Sequence, residues 1–155
     1  HASLEPFGKR LTLSIGTQRG VAAGQAVLDG VGVIGQIARV YPFSSEVTLI
    51  TDRELAIPVQ VERSGLRAIA FGHGRDNTLD LPYLPVNVDI REGDKLMTSG
   101  IDGTYPKGLA VAVVARIELN MDSPFAHIVC TPIACTDKHD QVLVLATAPP
   151  AEPPP

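Results

Sequence analysis

Tryptophan is absent from this 155-residue sequence, and aromatic residues make up only 5% of it. Its core must therefore be aliphatic, drawn from the 45% of residues that are apolar. Basic residues are in deficit: 13 Lys and Arg stand against 17 Asp and Glu, for a net charge of −4. A nucleic-acid binder needs a basic stripe to replace condensed counterions, so nucleic acid is excluded as the main partner. Long apolar runs are lacking too. The longest clean one, Leu109–Ala115, falls far short of the roughly 20 residues of a membrane span. The chain starts His-Ala and is read as an excised piece with His1 a tag remnant. Two cysteines, Cys130 and Cys135, leave the redox compartment open.

What is present is alternation with period two. Leu11, Leu13 and Ile15 share one face of a segment whose other face holds Thr12 and Ser14. Val47 and Leu49 oppose Thr48 and Ile50, and Ile57, Val59 and Val61 fall together. Segments 111–117 and 141–147 also read as strands. Glycine and proline interrupt the chain too often for helices of three turns. Many short strands between frequent turns predict an all-β fold, a sandwich or barrel with little helix.

An internal repeat is visible. VAAGQAVLDG (Val21–Gly30) with GQIARV (Gly35–Val40) parallels IREGDKLMTSG (Ile90–Gly100) with VVARIEL (Val113–Leu119). Duplication predicts two similar small units packed on each other, since neither half buries enough surface alone. The Gly- and Pro-rich stretch Phe71–Pro85 marks the expected boundary. This gives a first unit over 10–75 and a second over 76–147, with strand exchange between them allowed. Residues 148–155, APPAEPPP, form a proline-rich tail.

Four chemistries were tested against spacing. Gly103 and Gly108 have P-loop separation, but Leu109 stands where lysine is required, and Pro106 removes a backbone donor. His73, Asp80 and Ser99 follow the chain order of a two-barrel serine hydrolase, the alternative functional reading. They crowd into 27 positions without an oxyanion segment, so Ser99-Gly100 reads as a turn. His127, Cys130, Cys135 and His139 are four competent zinc ligands. In a strand, however, His127 and Cys130 face opposite sides. Arg63 and Arg67 flank a Ser-Gly turn and suit either a carboxylate partner or solvent. No catalytic, cofactor or metal site is expected.

The motifs together resemble the MreC family of rod shape-determining proteins. They are VIGQ, SEVTLITD, PVQVERSG and GDKLMTSGIDGTYPKG, in that order, and the resemblance runs from about Arg10 to Leu145. It implies two small six-stranded β-barrels packed together, with residues 1–9 ending a coiled-coil linker or tag. It also implies a noncatalytic scaffold of the cell-elongation machinery, linking membrane and cytoskeleton to peptidoglycan synthases. Such proteins are anchored by a single inner-membrane span and present this domain to the periplasm. The partners implied are a class B penicillin-binding protein, MreD, RodA and MreB, with self-association. Gly35, Asp52, Arg63, Gly65, Gly93, Asp94, Ser99, Gly100, Tyr105, Pro106 and Gly108 are the motif and turn positions. Arg63, Arg67 and Tyr105 are candidate partner contacts, Tyr105 reading first as a packed side chain. The two cysteines are not a family feature; a periplasmic location permits a disulfide between them without requiring one.

Overall fold

Leu11 and Leu13 are buried while Thr12 and Ser14 are more accessible, so the alternation read from sequence becomes strand β2, Arg10–Leu13. The computed structural model describes residues 2–4, 10–73, 76–101, 103, 105–119, 122–134 and 142–145. Strand β1 is Ala2–Leu4. The others are β3 (Ala26–Leu28), β4 (Val33–Val40), β5 (Ser45–Leu49), β6 (Ala56–Val61), β7 (Arg67–Gly72) and β8 (Leu79–Pro85). They continue with β9 (Lys95–Thr98), β10 (Ala110–Leu119), β11 (Phe125–Pro132) and β12 (Leu143–Val144). Among the described residues helix is confined to one 3-10 turn, Thr17–Arg19.

The strands form two units of six. One is a sheet in the order β1-β2-β5-β4-β3-β12; the other is a closed barrel, β10-β11-β8-β7-β6-β9. The all-β expectation is met, but only the second unit closes among the described residues. The boundary expected between residues 75 and 76 does not follow the hydrogen bonding. Strands β6 and β7, assigned to the first unit from sequence, pair with each other and with β9 and β8 of the closed barrel. Strand β12 returns from the far end of the chain to pair with β3. The Gly- and Pro-rich stretch that suggested the boundary holds the end of β7 and the whole of β8, two neighbouring strands of the closed barrel.

The duplication is real in three dimensions. Gly24 and Gly93 both have positive φ, and each donates its N–H to a strand carbonyl, Ile37 and Val114 respectively, at 2.8 Å. Ile37 and Val114 donate back to Gln25 (2.8 Å) and Asp94 (2.9 Å). The side chains of Gln25 and Asp94 then each accept from the backbone N–H three residues earlier, Ala22 at 3.0 Å and Arg91 at 2.8 Å. Both copies bulge directly afterwards, between Ile37 and Arg39 and between Val114 and Arg116.

Packing follows from strands that are apolar on both faces. Val27, Ile34, Val47 and Leu49 meet Leu11, Leu13 and Ile37 in the core of the open sheet. Their chain neighbours Ala26, Val33 and Ile50 point the other way and join the core of the closed barrel with Ile57, Val59 and Leu96. Each such Val, Leu or Ile side chain contributes roughly 1.5–3 kcal/mol on burial. The units approach closely: a Cβ at Gly32 would lie 2.7 Å from the carbonyl oxygen of Ala110.

Candidate functional site

Two motif residues far apart in sequence meet in the barrel wall. Arg63, in the β6–β7 turn, donates from Nε and Nη2 to the two carboxylate oxygens of Asp94, both at 3.0 Å. Its Nη2 also reaches Asp89 Oδ1 at 2.9 Å. The planar guanidinium matches the carboxylate in a two-point pairing that lysine lacks. Hydrogen bonding from Arg63 holds the Asp94 carboxyl below its ordinary value of 3.8. Asp89 is lowered for the same reason, and Arg63 is raised in turn. Gly65, with positive φ, closes the turn by donating to the Val61 carbonyl at 2.8 Å. Arg67 opens β7 with its side chain exposed.

The Thr98–Leu109 loop is likewise structural. Buried Thr98 donates through its hydroxyl to the Pro106 carbonyl and accepts from the Leu109 N–H at 2.9 Å. Gly100 (φ +77°) takes a conformation that disfavours any side chain, and a Cβ there would meet Lys107 at 3.0 Å. Gly93 and Gly108 also have positive φ. Tyr105 is only 1% exposed and packs in the barrel core. Its hydroxyl donates to Gln36 Oε1 at 3.2 Å, tying the barrel to strand β4 of the other unit. Gly35 is a close-approach position, since a Cβ would fall 2.2 Å from the Thr48 carbonyl oxygen. Asp52 forms the turn between the units, accepting the Glu54 N–H at 2.8 Å.

The hydrolase constellation is not assembled. Asp80 bonds to His127 at 3.1 Å, His73 lies 3.2 Å from Asp76, and Ser99 Oγ accepts the Ile101 N–H at 3.5 Å. The zinc set is split as well. His127 points outward between Asp80 and Glu118, whereas Cys130 is fully buried in the barrel core as a free thiol. Burial pushes that thiol up to about 12. Cys135 and His139 lie outside the described residues. No group of three or more His, Cys, Asp or Glu able to hold a metal occurs among the described residues.

Apolar side chains do stand out on the surface. The β4–β5 hairpin presents Tyr41 (44% exposed) and Phe43 (75%). At the corresponding place in the second copy, the end of β10 and start of β11 present Leu119 (66%) and Phe125 (43%). Val86, also exposed, follows Pro85, which pairs with Phe125. Beside the second tip runs a charged strip: Arg116 Nε donates to Glu118 Oε1 at 2.7 Å, and His127 lies 3.3 Å from Glu118 Oε2.

Residues 1–146 match the family described as rod shape-determining protein MreC, barrel core. The chain belongs to the MreC family. It is 38% identical over 141 residues to the cell shape-determining protein MreC of Escherichia coli, covering 91% of this chain but 38% of that protein. The chain thus spans well under half the length of that relative. Its structure resembles the crystal structure of MreC from Pseudomonas aeruginosa, with a TM-score of 0.87, 40% identity and 93% of each chain covered. It also resembles the complex between penicillin-binding protein PBP2 and MreC from Helicobacter pylori (TM-score 0.70, 16% identity, 88% and 85% covered).

In this MreC domain the residues singled out by motif are those that hold turns and seams. The exposed hairpin side chains were missed because an apolar residue at a strand end reads as core. The available signal was position: Tyr41 and Phe43 bracket Pro42, in a turn with no further strand residue to bury them.

Proposed function

We propose that this chain is the periplasmic part of a membrane-anchored, noncatalytic scaffold in the cell-elongation machinery, and that its hairpin tips bind a class B penicillin-binding protein. The observation carrying this reading is the exposure of Phe43 and Leu119, large apolar side chains outside either core. Exposed aromatic and aliphatic anchors beside charged residues have the composition of a protein interface. The Helicobacter pylori complex supports the class of partner. MreD, RodA and MreB, together with self-association, belong to the same reading of a longer protein.

The test is binding of the purified periplasmic region of a class B penicillin-binding protein. Two paired variants are compared, Leu119→Ser with Phe125→Ser, and Tyr41→Ser with Phe43→Ser, each shown to keep its β circular dichroism. At least one pair should weaken binding tenfold or more, about 1.4 kcal/mol. Unchanged affinity in both overturns the assignment.

A further inference from the structure

The second hairpin reaches farther than the first. Beyond its bulge, β4 pairs with β5 at Arg39–Glu46 and Val40–Ser45. Past the equivalent bulge, β10 pairs with β11 at Arg116–Val129 and Ile117–Ile128, then twice more, at Glu118–His127 and Leu119–Ala126. The added pairs carry the exposed tip of Leu119 and Phe125. Alternation along β11 buries Ala126 and Ile128 and leaves His127 outside.

The backbone ladder on the other side of β11 is interrupted at this histidine. Ala126 pairs with Leu84 and Ile128 with Leu81, so His127 stands against two residues of β8, Pro82 and Tyr83. Pro82 has no N–H to give a ladder. The imidazole links the three strands instead. Its Nε2 lies 3.1 Å from Asp80 Oδ1 on β8, and its Nδ1 lies 3.3 Å from Glu118 Oε2 on β10. Glu118 also accepts from Arg116 Nε at 2.7 Å. The charges around the ring are therefore Asp80, Glu118 and Arg116. Farther out, Asp76 acts on Arg116 and lies beside His73.

Only an imidazolium can donate to both carboxylates, because a neutral ring has one N–H and turns a bare lone pair toward the second. Glu118 is the partner released. It is 49% exposed against 19% for Asp80, stands farther from the ring, and already has Arg116. Imidazole is also the side chain whose charge changes near neutral pH. We propose that His127 is a pH-gated positioning residue for the second hairpin tip: protonated, it clamps Glu118, and through it Leu119, in the surface a partner meets; neutral, it lets them go. This rests on the reading that the tips bind a class B penicillin-binding protein, and it names what regulates that binding. The first hairpin, with Arg39 opposite Glu46 and no histidine, lacks the device.

The test follows the Leu119 methyl and His127 ring signals by NMR across about pH 5 to 8. Leu119 should move along the ring's titration curve, while Tyr41 and Phe43 stay fixed. In Glu118→Gln the ring still titrates, but a carboxamide can accept from the charged ring or donate to the neutral one, so Leu119 should stop following it. His73→Gln should leave the curves unchanged. Affinity for the periplasmic region of a class B penicillin-binding protein should be about two- to fivefold tighter at the acid end, the worth of one exposed ion pair, and Glu118→Gln should lose this dependence. A Leu119 signal indifferent to pH, or one that follows the ring equally in Glu118→Gln, overturns the inference. So does an equal pH dependence of affinity in the two proteins. Absence of any binding refutes the proposed partner instead, and the methyl spectra still decide the clamp.

Discussion

Arg63 and Asp94 stand 31 residues apart in sequence and are joined by two hydrogen bonds of 3.0 Å each. The pair fastens the β6–β7 turn to the segment entering β9, and Asp94 also holds the Arg91 N–H. Replacing Asp94 with alanine removes all three bonds. The melting temperature should fall by about 5 °C or more, read by circular dichroism. Arg63→Lys should recover only part of the loss, since an ammonium cannot make the fork.

The same pair sets an acid dependence. Asp94 is lowered in the folded state, so its contribution is fully present above the ordinary value of 3.8 and is lost as pH falls through its lower folded value. Melting temperatures of the wild type and Asp94→Asn, measured from pH 7 downward, should differ by a constant amount to about pH 4 and converge below it. A gap that persists unchanged to pH 2 contradicts the linkage.

Tyr105 separates packing from bonding at the seam. Tyr105→Phe removes the bond to Gln36 and should cost about 1 kcal/mol. Tyr105→Ala also empties a fully buried site and should cost about 3–5 kcal/mol in urea unfolding.

Glycine positions divide by their surroundings. Gly35→Ala places a methyl 2.2 Å from the Thr48 carbonyl oxygen and should destabilise the domain by several-fold more than Gly30→Ala. Gly30 has open space and no positive φ. Denaturant midpoints of the two variants check the contrast.

Cys130 should resist alkylation at pH 8 in the folded protein and react on unfolding. Burial both excludes reagent and pushes the thiol up to about 12, leaving little thiolate. Mass-spectrometric labelling with and without urea reads this directly.

The charged pairings were harder to foresee than the turns. Gly93, Gly100 and Gly108 fall in turns because local sequence dictates local backbone. That Arg63 would choose Asp94, or that His127 would leave Cys130 for Asp80, depends on which strands become neighbours. Nothing between residues 63 and 94 encodes that choice locally. The exchange of β6 and β7 into the closed barrel has the same origin: glycines and prolines mark turns, but a turn within a barrel and a turn between barrels look alike.

The sequence alone determined the all-β class, the buried faces of the alternating segments and the glycine turns, because side-chain alternation and glycine conformations act over a few residues; β8, inside a stretch punctuated by glycine and proline, was not among them. Only the tertiary structure decided which copy closes. The strand added to the open copy, β12, comes from the C-terminal end, whereas the closed copy takes in β6 and β7 from the preceding segment, and both choices are made by hydrogen bonds between strands that local sequence does not pair.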